Sequence, residues 1–513
     1  MPVPPEHHAA PPPSSPLSAR DGRPVSVVHL VAELAPYART GGLGEAVSSL
    51  AQHQAEIGLP VSIILPLYRQ ARARVPDLVP ASEPYEMFVG FRREIARLWT
   101  TREAAPSKEG ERRTRPRPKV FFIENAYYFD RPAIYGEGSD YPDNARRFAF
   151  YVAAAIQALQ RMAAAPMILH VHDWHTALAP AYLRTWYASH PYFRRVSTVL
   201  SVHNAGYQGH FPTETIADVG LPWEVYDFSR FEWYGRANFL KGGMAFADAV
   251  ATVSPTHSVE LRTPDGGFGL HDHFRSLGDR FTGIVNGIDQ HIWDPTHDPH
   301  IARNYGPTSL EGKRACRVAL QQQYGLPQRA DVPIFGMSAR LIRQKGLDLI
   351  LSNTGFFDLD AQWVFLGAGD PGYEQALRRI EAQAPDRVRV DTSFNDPAEH
   401  RLMAAADILL MPCQYEPCGL TQMRAQRYGT LPLVRATGGL ADTVDDGLTG
   451  FVFVPYDAGA FIGCAIRALR AFNDRAGTWE RMMREAMSRD FGWARSEERY
   501  REVYRRVLRD AVA

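Results

Sequence analysis

At 513 residues, with 45% hydrophobic and 22% charged residues, the chain is too long for one ordinary core and carries ample material for two. Lysine plus arginine number 57 and aspartate plus glutamate also 57, a balance that argues against nucleic acid or an anionic membrane surface as partner. The four cysteines, Cys316, Cys413, Cys418 and Cys464, lack paired spacing, which excludes a disulfide framework and suits a reducing, cytoplasmic setting.

Residues 1–23 are rich in proline and polar residues, with no apolar core segment, and are expected to form a disordered tail rather than a secretion signal. No stretch approaches the roughly 20 apolar residues of a membrane span. From residue 24, short β-branched runs alternate with helical patterns. Strands are expected at Val25–Val31, Val61–Leu65, Val120–Ile123, Met167–Val171, Thr198–Val202, Ala249–Val253 and Gly283–Ile288, with helices such as Glu45–Ile57, Asn144–Ala164 and Ala177–Ala188 between them. The charged stretch Arg102–Lys119 reads as a solvated loop. A polar segment rich in Pro and Gly, Asp294–Gly312, marks a boundary, and the pattern then restarts. Strands are expected at Ile334–Ser338, Trp363–Leu366, Val388–Val390, Ile408–Met411, Leu431–Val434 and Phe451–Val454, and helices at Tyr373–Ala382 and Glu399–Ala405.

Short buried strands alternating with helices imply parallel βαβ units. The expected fold is therefore α/β, two Rossmann-like doubly wound domains facing each other across a deep cleft. The domains are placed at 24–298 and 299–485. A C-terminal helical segment, 486–513, contains a last helix at about Ser496–Asp510 that can pack on either domain.

Two strand-to-helix turns carry nearly the same octet, Arg39-Thr-Gly-Gly-Leu with Glu45 and Arg435-Ala-Thr-Gly-Gly-Leu with Asp442. Glycines there let a ligand approach the backbone and leave helix-end amides to an anion; Arg39 adds a permanent charge. Gly41 and Gly42 equally suit close helix–sheet packing, and the turn alone does not decide between the two. At the carboxyl edge of the second sheet, where ligands of open α/β sheets bind, Arg340 and Lys345 follow one strand. Glu416, Cys418, Gly419 and Leu420 follow another, with a helix opening at Thr421. Two cations, free amides and a carboxylate describe a site for a diphosphate joined to a polyol.

The segments RTGGLGEAV, FDRPAIYGEGSDYPDNARRFAFY, HVHDWHTALAPAYL, SVHNAGYQGHFP, NFLKGG, GIVNGID, ARLIRQKGLDL and EPCGLTQMRAQRYGTLPLVRATGGLADTV resemble, in order, bacterial glycogen synthase and plant starch synthase, glycosyltransferase family 5. The resemblance runs from about Val25 to Phe451. It implies a GT-B fold and transfer of glucose from ADP-glucose to the non-reducing end of an α-1,4-glucan, with retained configuration. It implies no cofactor, and ADP-glucose and α-1,4-glucan as partners, with neither nucleic acid nor membrane. Arg340 and Lys345 would hold the diphosphate, and Glu416 would contact the glucose hydroxyls and pair with Lys345. The amides of Cys418 to Leu420, with Thr421, would bind sugar and phosphate. His203 would lie against the reacting sugar. Asp173, Asn204 and Asn238 would line the sugar site, and the stretch with Arg39, Gly41 and Gly42 would act on the diphosphate.

Departures from the family pattern fall at Arg39 (usually Lys), Glu45 (usually Asp, an acceptor-side candidate), Phe394–Asp396 near the nucleobase, and Cys413 (usually Ser). They bear on donor choice, ADP-glucose against UDP-glucose, more than on reaction class. Three rival chemistries compete with this one. The cluster His170–His175 resembles a His-x-His-x-Asp-His metal site but has its acid one place early, so no metal is expected. A hydrolase needs two flanking carboxylates, and only Glu416 is strongly placed. A sugar-nucleotide binder that no longer catalyses is the third.

Overall fold

The computed structural model of the chain describes residue 17 and residues 24–102, 115–162, 168–352, 354–393, 395–474 and 476–510. The expected tail, apart from residue 17, and most of the expected charged loop lie outside the described residues, as does Phe394. The chain forms two compact units, one of Met1–Ala251, His273–Phe281 and Ala494–Ala513, the other of Thr252–Asp272 and Thr282–Trp493.

The first unit is built on strands β1 (Val27–Leu30), β2 (Val61–Pro66), β3 (Leu78–Pro80), β4 (Tyr85–Val89), β5 (Arg92–Thr101), β6 (Lys119–Glu124), β7 (Ile168–His172), β8 (Ser197–Val202), β9 (Ala249–Thr252) and β10 (Phe281–Gly283). Their order in the sheet is β10-β9-β8-β7-β1-β2-β6-β5-β3, with β4 on β5. β6, β2, β1, β7 and β8 run parallel, so the chain reverses its winding between β1 and β7. That is the switch point where ligands of such sheets bind. The strands at this centre, β1, β7 and β8, are buried on both faces, which explains why their apolar residues do not alternate with solvent-facing ones.

The antiparallel extension β3–β5 was not anticipated. In β4, Tyr85, Met87 and Val89 are buried while Glu86 and Phe88 face solvent, a one-sided alternation partly hidden by its charged flanks. The expected strand Gly283–Ile288 is met only at its first residue, since β10 spans Phe281–Gly283 and Ile288 N donates instead to Phe491 O (2.8 Å). Helices α1 (Gly42–Glu56), α2 (Asn144–Leu159) and α3 (Leu178–Arg184) fall on the expected segments, α2 and α3 ending earlier than expected, and α4 (Phe239–Phe246) lies outside the helices named from the sequence. The last helix, Ala494–Asp510, packs on β8 and α1.

The second unit opens with helix α5 (Pro255–Glu260), then α6 (Glu311–Gln323). Its strands are β11 (Ile334–Ser338), β12 (Gln362–Leu366), β13 (Val388–Asp391), β14 (Ile408–Met411), β15 (Leu431–Arg435) and β16 (Phe451–Phe453). They are ordered β13-β12-β11-β14-β15-β16 and all run parallel. This is a Rossmann-type order with its switch point between β11 and β14. Helices α7 (Thr421–Arg427), α8 (Gly438–Thr443) and the C-terminal α9 (Ala494–Asp510), already placed on the first unit, complete the elements used below.

The unit boundary is more interlaced than the expected break at 298/299. Residues 252–272 belong to the second unit because α5 is tied to it through its N-terminal end. Thr256 Oγ1 donates to Asp442 Oδ1 (2.6 Å), and the Ser254 hydroxyl donates to Asp442 Oδ2.

Candidate active site

In the second unit the loops leaving β11 and β14 are locked together at the switch point. Gln414 N donates to Gln344 O (2.8 Å). Gly346 has φ +81°, and a Cβ there would come 2.1 Å from Pro412 O, so glycine is required twice over. This clamp sets Lys345 Nζ 2.5 Å from Glu416 Oε2. Burial opposes the charge of Lys345, but the Glu416 carboxylate outweighs it and holds the ammonium above the ordinary lysine range. Cys413 Sγ lies 3.6 Å from Glu416 Oε2, and burial pushes its thiol up to about 12, so it stays a protonated donor. Arg340, just past β11, is exposed.

Glu416 is aimed by the second glycine pair. Gly439 N donates to Glu416 O (3.2 Å) and Pro417 O (3.1 Å). Gly438 has φ +45°, and a Cβ on it would come 2.0 Å from Glu416 O. The glycines of this copy therefore serve close packing, with Gly438 N and Thr437 Oγ1 donating to Glu260 Oε1 (2.9 and 3.0 Å). The segment Cys418–Leu420 leads into α7 with Gly419 at φ +70°, and no side chain caps the helix start at Leu420. A cavity of about 520 Å³ beside this edge is lined by Glu260, Asp265, Phe268, Tyr415, Arg435 and Tyr456, among others; aromatic faces beside carboxylates suit a neutral polyol.

The first unit holds the other candidates, at its own switch point. Past β1, the buried Glu33 takes Thr40 N (2.6 Å), Gly41 N (3.2 Å) and Thr40 Oγ1 (2.8 Å), and Tyr135 OH also donates to it (2.6 Å). In both octets, then, a glutamate from elsewhere fills the Thr-Gly corner where an anion was expected. Sequence reasoning missed Glu33, whose signal was an acid three residues past a buried strand. A Cβ at Gly41 would meet nothing within 4 Å, so internal packing does not require glycine there. Arg39 and Glu45, the two departures from the family pattern, form an ion pair with each other.

Past β7, Asp173 adopts φ +56° and accepts from His203 N (2.7 Å), so its side chain orients the end of β8. Burial raises its carboxyl to about 7, against the pull of the His203 and Asn204 amides. His203 is half-buried, its Nε2 lies 3.0 Å from His172 Nδ1, and burial lowers the ring to about 3. Asn204 Oδ1 accepts from Gly206 N (2.9 Å). Asn238 is fully buried and caps α4, accepting from Lys241 N (2.9 Å) and donating to Gln208 Oε1 (2.7 Å). It supports the site's frame instead of facing it.

His29, His170 and His172 bring ligand-type nitrogens within 4.8 Å of one another. Each of their six ring nitrogens already has a side-chain partner, so a metal would have to break that network.

Residues 26–276 match the family described as starch synthase catalytic domain, and 322–476 match glycosyl transferases group 1. A glycogen synthase of Anaeromyxobacter dehalogenans (strain 2CP-C) is 40% identical over 489 residues, spanning 94% of this chain and 99% of the relative. Glycogen synthase 2 of Geobacter sulfurreducens is 39% identical over 490 residues, spanning 94% and 98%. The catalytic domain of starch synthase IV from Arabidopsis thaliana, solved with ADP and acarbose bound, superimposes with a TM-score of 0.85 at 32% identity, over 94% of this chain and 99% of that one. Two doubly wound sheets, each with its charged loops at the switch point, make this a glycosyltransferase of the GT-B fold. The chain belongs to the glycogen synthase and starch synthase family. Among the described residues no helix is long and apolar enough to cross a membrane.

Proposed function

We propose that the protein transfers glucose from ADP-glucose to the non-reducing end of an α-1,4-glucan, with retention and without a resident cofactor, in the cytoplasm. The observation that carries this reading is the Lys345–Glu416 pair at the switch point of the second sheet, 2.5 Å apart and largely buried, with Arg340 on the adjoining loop. Departure of the nucleoside diphosphate builds negative charge on its oxygens, and a cation held in place by a largely buried pair stabilises that charge more than the ground state. Glu416 keeps Lys345 charged and offers its remaining lone pairs to sugar hydroxyls. A second carboxylate nucleophile is not part of this reading; retention follows from departure and attack on one face of the sugar. The relatives' names and the neighbour's bound ADP and acarbose support the donor and the glucan.

Purified protein given labelled ADP-glucose and glycogen is expected to label the polymer. Labelling from UDP-glucose alone would move the donor. Binding of ADP-glucose without polymer labelling would make the chain a sugar-nucleotide binder, with the Arg39–Glu45 pair as its altered feature.

A further inference from the structure

Below the first unit's switch point lies a layer of polar side chains where apolar ones are the rule. His29 on β1 and His170 and His172 on β7 project from one face of the sheet, since 170 and 172 are two apart and His170 stands beside His29. All three are at most 1% exposed. Burying imidazoles is unfavourable unless each nitrogen is hydrogen-bonded, and here each is. His29 Nε2 lies 2.8 Å from Gln54 Oε1, His29 Nδ1 3.0 Å from His172 Nε2, and His172 Nδ1 3.0 Å from His203 Nε2. His203 Nδ1 carries no hydrogen bond among the described residues.

A proton count gives this row a direction. Burial keeps His29, His172 and His203 neutral, with His29 and His203 lowered to about 4 and about 3, so each ring carries one proton. Gln54 Oε1 can only accept, which puts the His29 proton on Nε2 and leaves Nδ1 bare. His172 must then donate from Nε2, leaving its Nδ1 bare, and His203 must donate from Nε2. The amide of Gln54 is oriented in turn by Tyr504 of α9. Gln54 Nε2 donates to Tyr504 OH (3.3 Å), Tyr504 OH donates to His170 Nδ1 (2.8 Å), and His170 Nε2 donates to Ser201 Oγ (2.7 Å).

We infer that Gln54, His29 and His172 are positioning residues that fix the tautomer of His203, so that its Nδ1 is a bare acceptor for a substrate hydroxyl. The inference rests on the proposed reading that His203 lies against the reacting sugar. It gives the buried histidines a role in transfer and needs no metal.

The test is ¹⁵N NMR of the full-length protein labelled at histidine, with the His203 ring signals identified by their loss in His203→Asn. The wild-type ring is expected as the single Nε2–H form. Gln54→Leu removes the acceptor that sets the direction and is expected to give a mixed or reversed tautomer. It should lower kcat about tenfold, the worth of one good hydrogen bond, with little change in KM for the donor. Gln54→Glu keeps an acceptor facing His29 and is expected to keep both the Nε2–H form and turnover within about threefold of wild type. A wild-type His203 protonated on Nδ1 or averaged between forms overturns the inference, and that spectrum needs no Gln54 variant to fold. Unchanged ring signals in Gln54→Leu overturn it as well. A locked tautomer together with wild-type turnover in His203→Asn overturns instead the reading of His203 as a sugar-site residue, and with it the chain's part in transfer.

Discussion

Replacing Lys345 by alanine separates the two things its charge does. The Lys345 and Glu416 side chains are 18% and 9% exposed, so solvent screens them far less than a surface pair. Without the ammonium, Glu416 is left buried beside Cys413 with no countercharge, a change worth about 3–5 kcal/mol of stability. That corresponds to a Tm lower by roughly 5–15 °C for a unit of this size. On the reaction, losing one preorganised charge against the departing diphosphate lowers kcat about 100- to 1000-fold. The uncompensated carboxylate adds repulsion, so Lys345→Ala/Glu416→Ala is expected to regain much of the lost stability and none of the lost turnover. Initial rates of label transfer from ADP-glucose to glycogen, beside thermal unfolding of the same preparations, read both effects. Turnover of Lys345→Ala within about threefold of wild type would refute the diphosphate role. A double variant no more stable than Lys345→Ala would refute the buried-pair argument.

Three further outcomes are expected. Gly438→Ala should lower turnover by at least about tenfold, because its Cβ would come 2.0 Å from Glu416 O at a positive φ; Gly41→Ala, with open space around its Cβ, should keep its Tm and raise KM for the donor. Arg39→Lys and Glu45→Asp each change the reach of one partner in a matched ion pair, so the two together are expected to restore more activity than the sum of the singles predicts, read as a double-mutant cycle in kcat/KM. Burial raises Asp173 to about 7, above the unfolded value of about 3.9, so the fold favours its protonated form. Its contribution to stability is full below about pH 4 and lost as pH rises through about 7. Asp173→Asn should lack that slope, so the stability difference, wild type minus variant, read from urea midpoints, should fall as pH rises through about 7.

Much of the frame was legible because its strands are short, β-branched and buried on both faces. β11 and β14 match their expected ranges residue for residue, and the residues after them, Arg340, Lys345 and Glu416, reach the switch point by strand order alone. Periodicity served less well where one strand face is wet, as in β4 and β5, and where a loop borrows backbone partners from afar, as Ile288 does from Phe491. The octets show the same limit. Their glycines left open an anion site or close packing, yet Glu33 and Glu260 fill the Thr-Gly corners; Glu33 stands just before its octet, whereas Glu260, supplied from a distant segment, leaves no local signature. Asn238 looked like a site residue by motif, and its helix cap is a tertiary fact. The histidine layer was visible as HVHDWH, but its partners Gln54 and Tyr504 come from helices far along the chain.

The central claim is that Arg340 and Lys345 grip a diphosphate beside Glu416. A crystal structure of the protein with ADP tests it most directly. The account predicts phosphate oxygens within hydrogen-bonding distance of Lys345 Nζ and the Arg340 guanidinium, over the amides of Gly419 and Leu420. ADP bound with its phosphates away from both cations would contradict it.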